Sequence, residues 1–197
     1  MPKMENITDL KFHSLTPERW QDFECLFGTR GACGGCWCMW YRLRRSEYEA
    51  QKGEGNKHAM RTLVESGKRP GIIAYHNDEA IAWCSFASRD EFSVLSRSRV
   101  LKPVDASPVW SIVCFFVTKS YRKRGVMTQL LEAVIDFVES WGGKIVEGYP
   151  VEPKKSPMPD VFAYTGLVSA FRKAGFKEVA RRSHTRPIMR FYITRAN

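Results

Sequence analysis

The chain has 197 residues, 44% of them hydrophobic and 13% aromatic, and 31 Lys and Arg against 21 Asp and Glu give it a net charge of +10. That length suits one domain, and that apolar content excludes a wholly disordered chain. The longest apolar run, Ile112 to Val117, is far too short to span a membrane and has the length of a buried strand.

The first six residues carry no apolar signal core, which predicts a cytosolic protein. Ile7 to Ser14 reads as a first strand. Thr16-Pro17 reads as a helix start with the hydroxyl as N-cap, and Trp20, Phe23 and Phe27 follow at helical spacing until Gly28. Residues 29–45 form a Gly- and Cys-rich loop. Ser46 and Glu49 have the spacing of a capping box for a helix that Gly53 and Gly55 interrupt, and Met60, Leu63 and Val64 continue a helical face as far as Gly67. Gly71 to Tyr75 and Ala80 to Ala87 read as a hairpin about the polar turn His76-Asn77-Asp78-Glu79, and residues 88–108 as a connection.

Val109 to Val117 then reads as a strand. Tyr121 to Met127 reads as a basic turn, and a long helix follows with Leu130, Val134 and Val138 on one stripe, stopped by Gly142-Gly143. Lys144 to Val151 reads as a strand. After a loop with Pro150, Pro153, Pro157 and Pro159, Tyr164 to Ala174 reads as a helix closed by Gly175. Lys177 to Arg182 and Ile188 to Thr194 read as the last two strands.

The turn before the long helix carries the clearest chemistry. The first N–H groups of a helix lack internal partners, and the helix dipole there favours anions. Arg122, Lys123 and Arg124 add positive charge, and Gly125 lets main chain approach a ligand closely. This pattern suits a pyrophosphate.

Arg122-Lys123-Arg124-Gly125-Val126-Met127 resembles the Arg/Gln-x-x-Gly-x-Gly/Ala signature of the GNAT superfamily of acyl-CoA N-acyltransferases. Phe171 to Val179, with Gly175-Phe176 between helix and strand, resembles a second feature of that family. Met127 departs from the signature's small residue, and Phe171 stands where many members carry a Tyr that serves as general acid.

The resemblance implies a single domain over 1–197 of α/β (α+β) class. Its central sheet would be mixed but mostly antiparallel, with six to seven strands, flanking helices and a splayed central strand pair. The implied co-substrate is acetyl-CoA. The backbone of Arg124, Gly125, Val126 and Met127 would hold its pyrophosphate, with charge from Arg122, Lys123 and Arg124. Backbone groups of Phe115 and Val117 would pair with its pantetheine arm. The implied reaction moves acetyl to a primary amine of a small molecule by direct attack, and the resemblance admits a homodimer through the terminal strands, oligomeric state being open.

The catalytic candidates are Ser111, which matches the position of a Glu in the histone-modifying branch, and Glu147 and Asp105 as bases. Tyr164 is the candidate donor to the departing thiolate. Residues 29–66 would form the acceptor side, with Trp37, Met39, Trp40, Tyr41 and Arg42 lining it; the plainer alternative is that Trp37 and Trp40 pack on the sheet.

Six cysteines stand at 25, 33, 36, 38, 84 and 114, and free thiols are expected. Cys33, Cys36 and Cys38 offer three thiolates where a closed zinc site needs four, so no metal is expected. Cys114 reads as a small buried hydrophobe. Two rival functions stay open. One is a basic nucleic-acid-binding module, suggested by the eight Lys and Arg between Arg172 and Arg195 but lacking any recognised motif. The other is a protein that binds CoA without turnover.

Overall fold

The structure, a computed structural model, describes residues 6–153 and 160–194; Pro157, Pro159 and Arg195 lie outside the described residues. The strands are β1 (Lys11–Ser14), β2 (Gly71–His76), β3 (Glu79–Ser88), β4 (Trp110–Val117), β5 (Ile145–Gly148), β6 (Lys177–Arg181) and β7 (Pro187–Tyr192). They form one mixed sheet in the order β1-β2-β3-β4-β5-β7-β6. Every neighbouring pair is antiparallel except β4 and β5. The helices are α1 (Trp20–Phe27), α2 (Arg45–Ala50), α3 (Glu54–Glu65), α4 (Ser93–Arg97), α5 (Val126–Ser140) and α6 (Val168–Lys173).

The β2–β3 hairpin turns on Asn77 and Asp78, both with positive φ, as a two-residue turn that matches strand twist requires. α5 buries Val126, Leu130, Leu131, Val134 and Val138 against one sheet face, together with Phe171 and Val168 of α6. α1 and α3 cover the other face, where Trp20, Phe23, Phe27, Met60 and Val64 meet Trp83 of β3. Each such side chain contributes roughly 1.5–3 kcal/mol on burial.

Two irregularities in β4 position everything that follows. Its parallel pairing with β5 covers only Trp110, Ser111 and Ile112, so the strands part from Val113 onward. A bulge against β3 sits at the same level, where Ser85 pairs with Cys114 and Phe86 with Ile112. The extra residue, Val113, shifts the alternation by one. Ile112 and Phe115 consequently both face α5, while Cys114 and Phe116 face the α1 side.

The structure departs from the sequence reading at several ends. β1 starts at Lys11, not Ile7, because Ile7 straps the start of α5: its N–H donates to Arg124 O at 3.1 Å and its carbonyl accepts from Gln129 at 2.8 Å. Pro17 opens a 3-10 turn, and Thr16 makes no capping bond from its side chain. The capping box is absent as well. Arg44 is the N-cap of α2, Ser46 lies inside the helix, and Glu49 pairs with Arg45 at 2.9 Å. α6 begins at Val168 rather than Tyr164, since Gly166 has φ +90° and Leu167 is extended.

Phe171 is fully buried and its ring lies on Gly148, where a β-carbon would stand 2.2 Å from Cε1. Gly148→Ala is therefore expected to cost about 1–3 kcal/mol by overpacking. Chemical denaturation would read it as a lower midpoint at unchanged slope.

Candidate active site

A cleft of about 1240 Å³ opens where β4 leaves β5. One end lies at the basic turn and the other at the cysteine loop, with Cys114, Phe115, Phe116 and Val117 between them.

At the basic end, Gly125 is the N-cap of α5 in the left-handed region, with φ 78° and ψ −5°. Its carbonyl accepts from the N–H groups of Thr128 and Gln129 at 3.0 and 3.3 Å, so the helix starts tightly. A β-carbon on Gly125 would stand 3.1 Å from Asn6 Oδ1. Arg122 donates from Nε to Val117 O at 2.9 Å, which ties the turn to the strand end.

Of the eight residues the resemblance assigned to acetyl-CoA, Phe115, Val117, Arg122, Lys123, Gly125, Val126 and Met127 line the cleft. Arg124 does not: its carbonyl serves Ile7, and its guanidinium lies 5.9 Å from the centre of the Tyr121 ring. The backbone groups of the strand already hold partners within the chain. Phe115 N–H donates to Tyr164 O at 2.6 Å, and Val117 O accepts from Arg122.

Tyr164 lies on the cleft wall, in the loop before α6. Tyr41 lines the same cleft, and burial pushes its phenol well above the ordinary range. The other end of the cleft is lined by Phe27, Trp40, Tyr41, Tyr48 and the thiols of Cys33, Cys36 and Cys38. Trp40 meets Tyr48 edge to face at 5.0 Å and carries Arg45 over its ring at 4.8 Å.

Trp37, Met39, Arg42, Asp105, Ser111 and Glu147 do not line the cleft, and Met39 packs in the same core as Trp37. Trp37 is 3% exposed and packs with Trp20, Phe23 and Phe27 at 5.6–6.5 Å. Gly31 admits it, since a β-carbon there would stand 2.4 Å from the indole nitrogen. Arg42 is directed away from the cleft, pairs with Glu91 at 3.3 Å and stacks 4.6 Å from the Phe92 ring.

Ser111 and Glu147 are fully buried in a polar network. Glu147 accepts from Arg190 at 2.7 Å, from Arg89 at 2.9 Å and from the Tyr149 hydroxyl at 2.7 Å. Ser111 and Tyr149 hydroxyls lie 2.8 Å apart. Asp105 joins through Arg190 at 2.6 Å, and that hydrogen bond holds its carboxyl down at about 2. None of these groups lines the cleft, and both strand residues precede the point where β4 and β5 part.

Four residues of the late basic run are similarly engaged in structural contacts. Arg190 is 2% exposed, Arg181 pairs with Glu152 and Glu178, Arg186 bonds to Thr165, and Arg182 donates to the carbonyls of Lys102 and Pro103. All six cysteines are free. Among the described residues, no group of three or more His, Cys, Asp or Glu could hold a metal ion, and no helix is long and apolar enough to cross a membrane.

The sequence reading missed Cys38 and Tyr48 as cleft residues and underrated Cys114. The two-residue spacing of Cys36 and Cys38 in a Gly-rich loop was the available signal, but which thiol faces inward depends on Trp37 and Cys38 both having positive φ.

A family model described as Acetyltransferase (GNAT) family matches residues 37–152, more than half of the chain. No curated protein matches it. Solved structures with the same fold include an acetyltransferase of the GNAT family from Desulfovibrio desulfuricans, with 13% identity and a TM-score of 0.52 over 93% of this chain and 99% of that one. The PaiA N-acetyltransferase from Thermoplasma acidophilum, solved in complex with coenzyme A, has 12% identity and a TM-score of 0.53 over 94% and 100%. A GNAT-family acetyltransferase from Streptococcus agalactiae has 11% identity and a TM-score of 0.56 over 94% and 96%. At these identities the likeness concerns the fold.

Proposed function

Because the chain belongs to the Acetyltransferase (GNAT) family, we propose that it moves an acetyl group from acetyl-CoA to the primary amine of a small molecule by direct attack. The observation that carries this reading is one continuous cleft that joins the Gly125 turn to an aromatic end along β4 where it parts from β5.

The residues present fit the co-substrate. Amides at the start of α5, with Arg122 and Lys123 beside them, suit a pyrophosphate, and Gly125 leaves the close approach that a β-carbon would obstruct. Acetyl-CoA supplies the activated acyl group when bound. Engagement of the Phe115 N–H by a pantetheine arm requires Tyr164 O to release it. Tyr164 is the donor we assign to the departing thiolate, since it lines the cleft next to β4. Holding amine and thioester together accounts for much of the expected acceleration.

The acceptor we assign has an apolar or aromatic body. Trp40, Tyr41, Tyr48, Phe27 and Phe116 line its side, and no Asp, Glu or His stands among the described cleft residues to receive a polycation. The 29–66 segment is thus the acceptor side.

Calorimetry with acetyl-CoA is expected to show binding that weakens as salt is raised, because charge on Arg122 and Lys123 is screened. Release of free thiol is then followed over a panel of amines. Arylalkylamines are expected to outpace polyamines. Absence of binding at low salt overturns the co-substrate assignment; fastest turnover of polyamines overturns the acceptor class alone.

A further inference from the structure

An acetyl transfer of this kind needs something to take the proton of the incoming ammonium, and the described cleft residues include no carboxylate and no histidine. They do include Cys38, whose surroundings are unusual for a buried thiol. Trp83 Nε1 donates to Cys38 Sγ at 3.2 Å from β3, and Cys114, on the bulged stretch of β4, lines the same cleft. Arg42 adds an independent observation. Its side chain is only 5% exposed, Glu91 meets one terminal nitrogen, and Nε and Nη2 are buried with no hydrogen-bond partner. A buried guanidinium with two orphaned nitrogens calls for more negative charge than one half-shared carboxylate supplies. Cys38 is the nearby group able to supply it, and its charge is felt at Arg42.

We propose that Cys38 rests as a thiolate on the cleft wall and is the proton acceptor for the amine. This rests on the acetyl-transfer reading above and adds the base that the reading lacks.

The groups around Cys38 are arranged to leave the charge there. The hydrogen bond from Cys114, joined by that from Trp83 and by the Arg42 charge, holds the Cys38 thiol below its ordinary range despite burial. The neighbouring thiols stay protonated. Burial raises Cys36 to about 11, burial pushes Cys84 well up, and Cys114 is pushed well up by its bond to Cys38.

In the step itself, Cys38 thiolate takes one proton from the ammonium and becomes a thiol. The amine lone pair then forms the bond to the acetyl carbon as the carbon–sulfur bond of the thioester breaks. Tyr164 gives its hydroxyl proton to the departing sulfur and is reprotonated by the second nitrogen proton, and Cys38 returns its proton to solvent. No oxidant or further reactant is needed.

The test is a pH titration of thiolate ultraviolet absorbance on the full chain, run beside kinetics. Wild type is expected to show one early thiol transition. C38S is expected to lose that transition, and Arg42→Met to move it to higher pH. The acid limb of kcat is expected to follow the same transition, and C38S to lose on the order of 100-fold in kcat with acetyl-CoA affinity retained. Thermal melts and calorimetry verify that C38S is folded; should it not fold, the Arg42→Met shift and the coincidence of the wild-type profiles decide.

An early transition that survives in C38S, or undiminished transfer by folded C38S, overturns the role of Cys38 alone. An acetyl group found on Cys38 by mass spectrometry with acetyl-CoA alone overturns it in favour of covalent transfer. Failure of wild type to acetylate any amine overturns the transferase reading and this role with it.

Discussion

Gly125→Val is expected to weaken acetyl-CoA binding by at least about 100-fold, near 2.7 kcal/mol. Gly125 has φ 78° and ψ −5°, a conformation costing an L-residue about 1–2 kcal/mol and a β-branched one more. A β-carbon would also stand 3.1 Å from Asn6 Oδ1 and 3.3 Å from its Cγ, so Asn6, which lines the cleft, must give way. The alternative is that the turn reverts to negative φ. The amides of Val126 and Met127 would then point away from the ligand. Either route removes the anion site while α5 keeps its buried Leu130, Leu131, Val134 and Val138. Calorimetry run beside a thermal melt separates loss of binding from loss of fold, with Gly125→Ala falling between. Binding by the valine variant within about threefold of wild type would overturn the cradle.

Glu147→Ala is expected to cost about 3–5 kcal/mol of stability, because it removes the anion shared by the buried Arg190 and the half-buried Arg89. For a chain of this size that corresponds to a fall in melting temperature of about 10 °C. Glu147 is fully buried and serves Arg190, Arg89 and the Tyr149 hydroxyl, and burial already pushes the Tyr149 phenol well above its ordinary range. Glu147→Gln keeps the hydrogen-bonding shape without the charge and should lose less. An alanine variant that melts like wild type yet loses turnover would reverse the assignment, making Glu147 a base and not a strut.

The two variants separate the candidates the sequence had placed side by side. Gly125 was identifiable because a left-handed N-cap before a long amphipathic helix has a local signature. Glu147 and Ser111 were plausible bases only while the distance between β4 and β5 was unknown. The parallel pairing at Ser111–Glu147 puts both residues inside the joined part of the strands. The open part begins one residue past Ile112, and only there can a ligand meet the strand.

The same reasoning applies to the aromatic loop. Trp37 and Trp40 are three residues apart and alike in composition, yet Trp37 is a core residue and Trp40 faces the cleft. Gly31 decides it by leaving room for the Trp37 indole against the main chain. The basic C-terminal run was equally ambiguous. Its charge reads as a binding face in sequence but in space neutralises Glu152 and Glu178, caps carbonyls and fills a buried network.

By itself the sequence determined the succession of the strands (but not α4), the hairpin at Asn77-Asp78, the core stripe of α5 and the basic turn at Gly125, all of which depend on neighbours within a few residues. Tertiary structure alone decided which face Cys114 presents, that Cys38 lies beneath Trp83 beside it, and that Arg42 is buried behind them. One inserted residue in β4 reverses the side-chain alternation downstream of it, and the energy that stabilises such a bulge comes from packing between strands and loops distant in the chain.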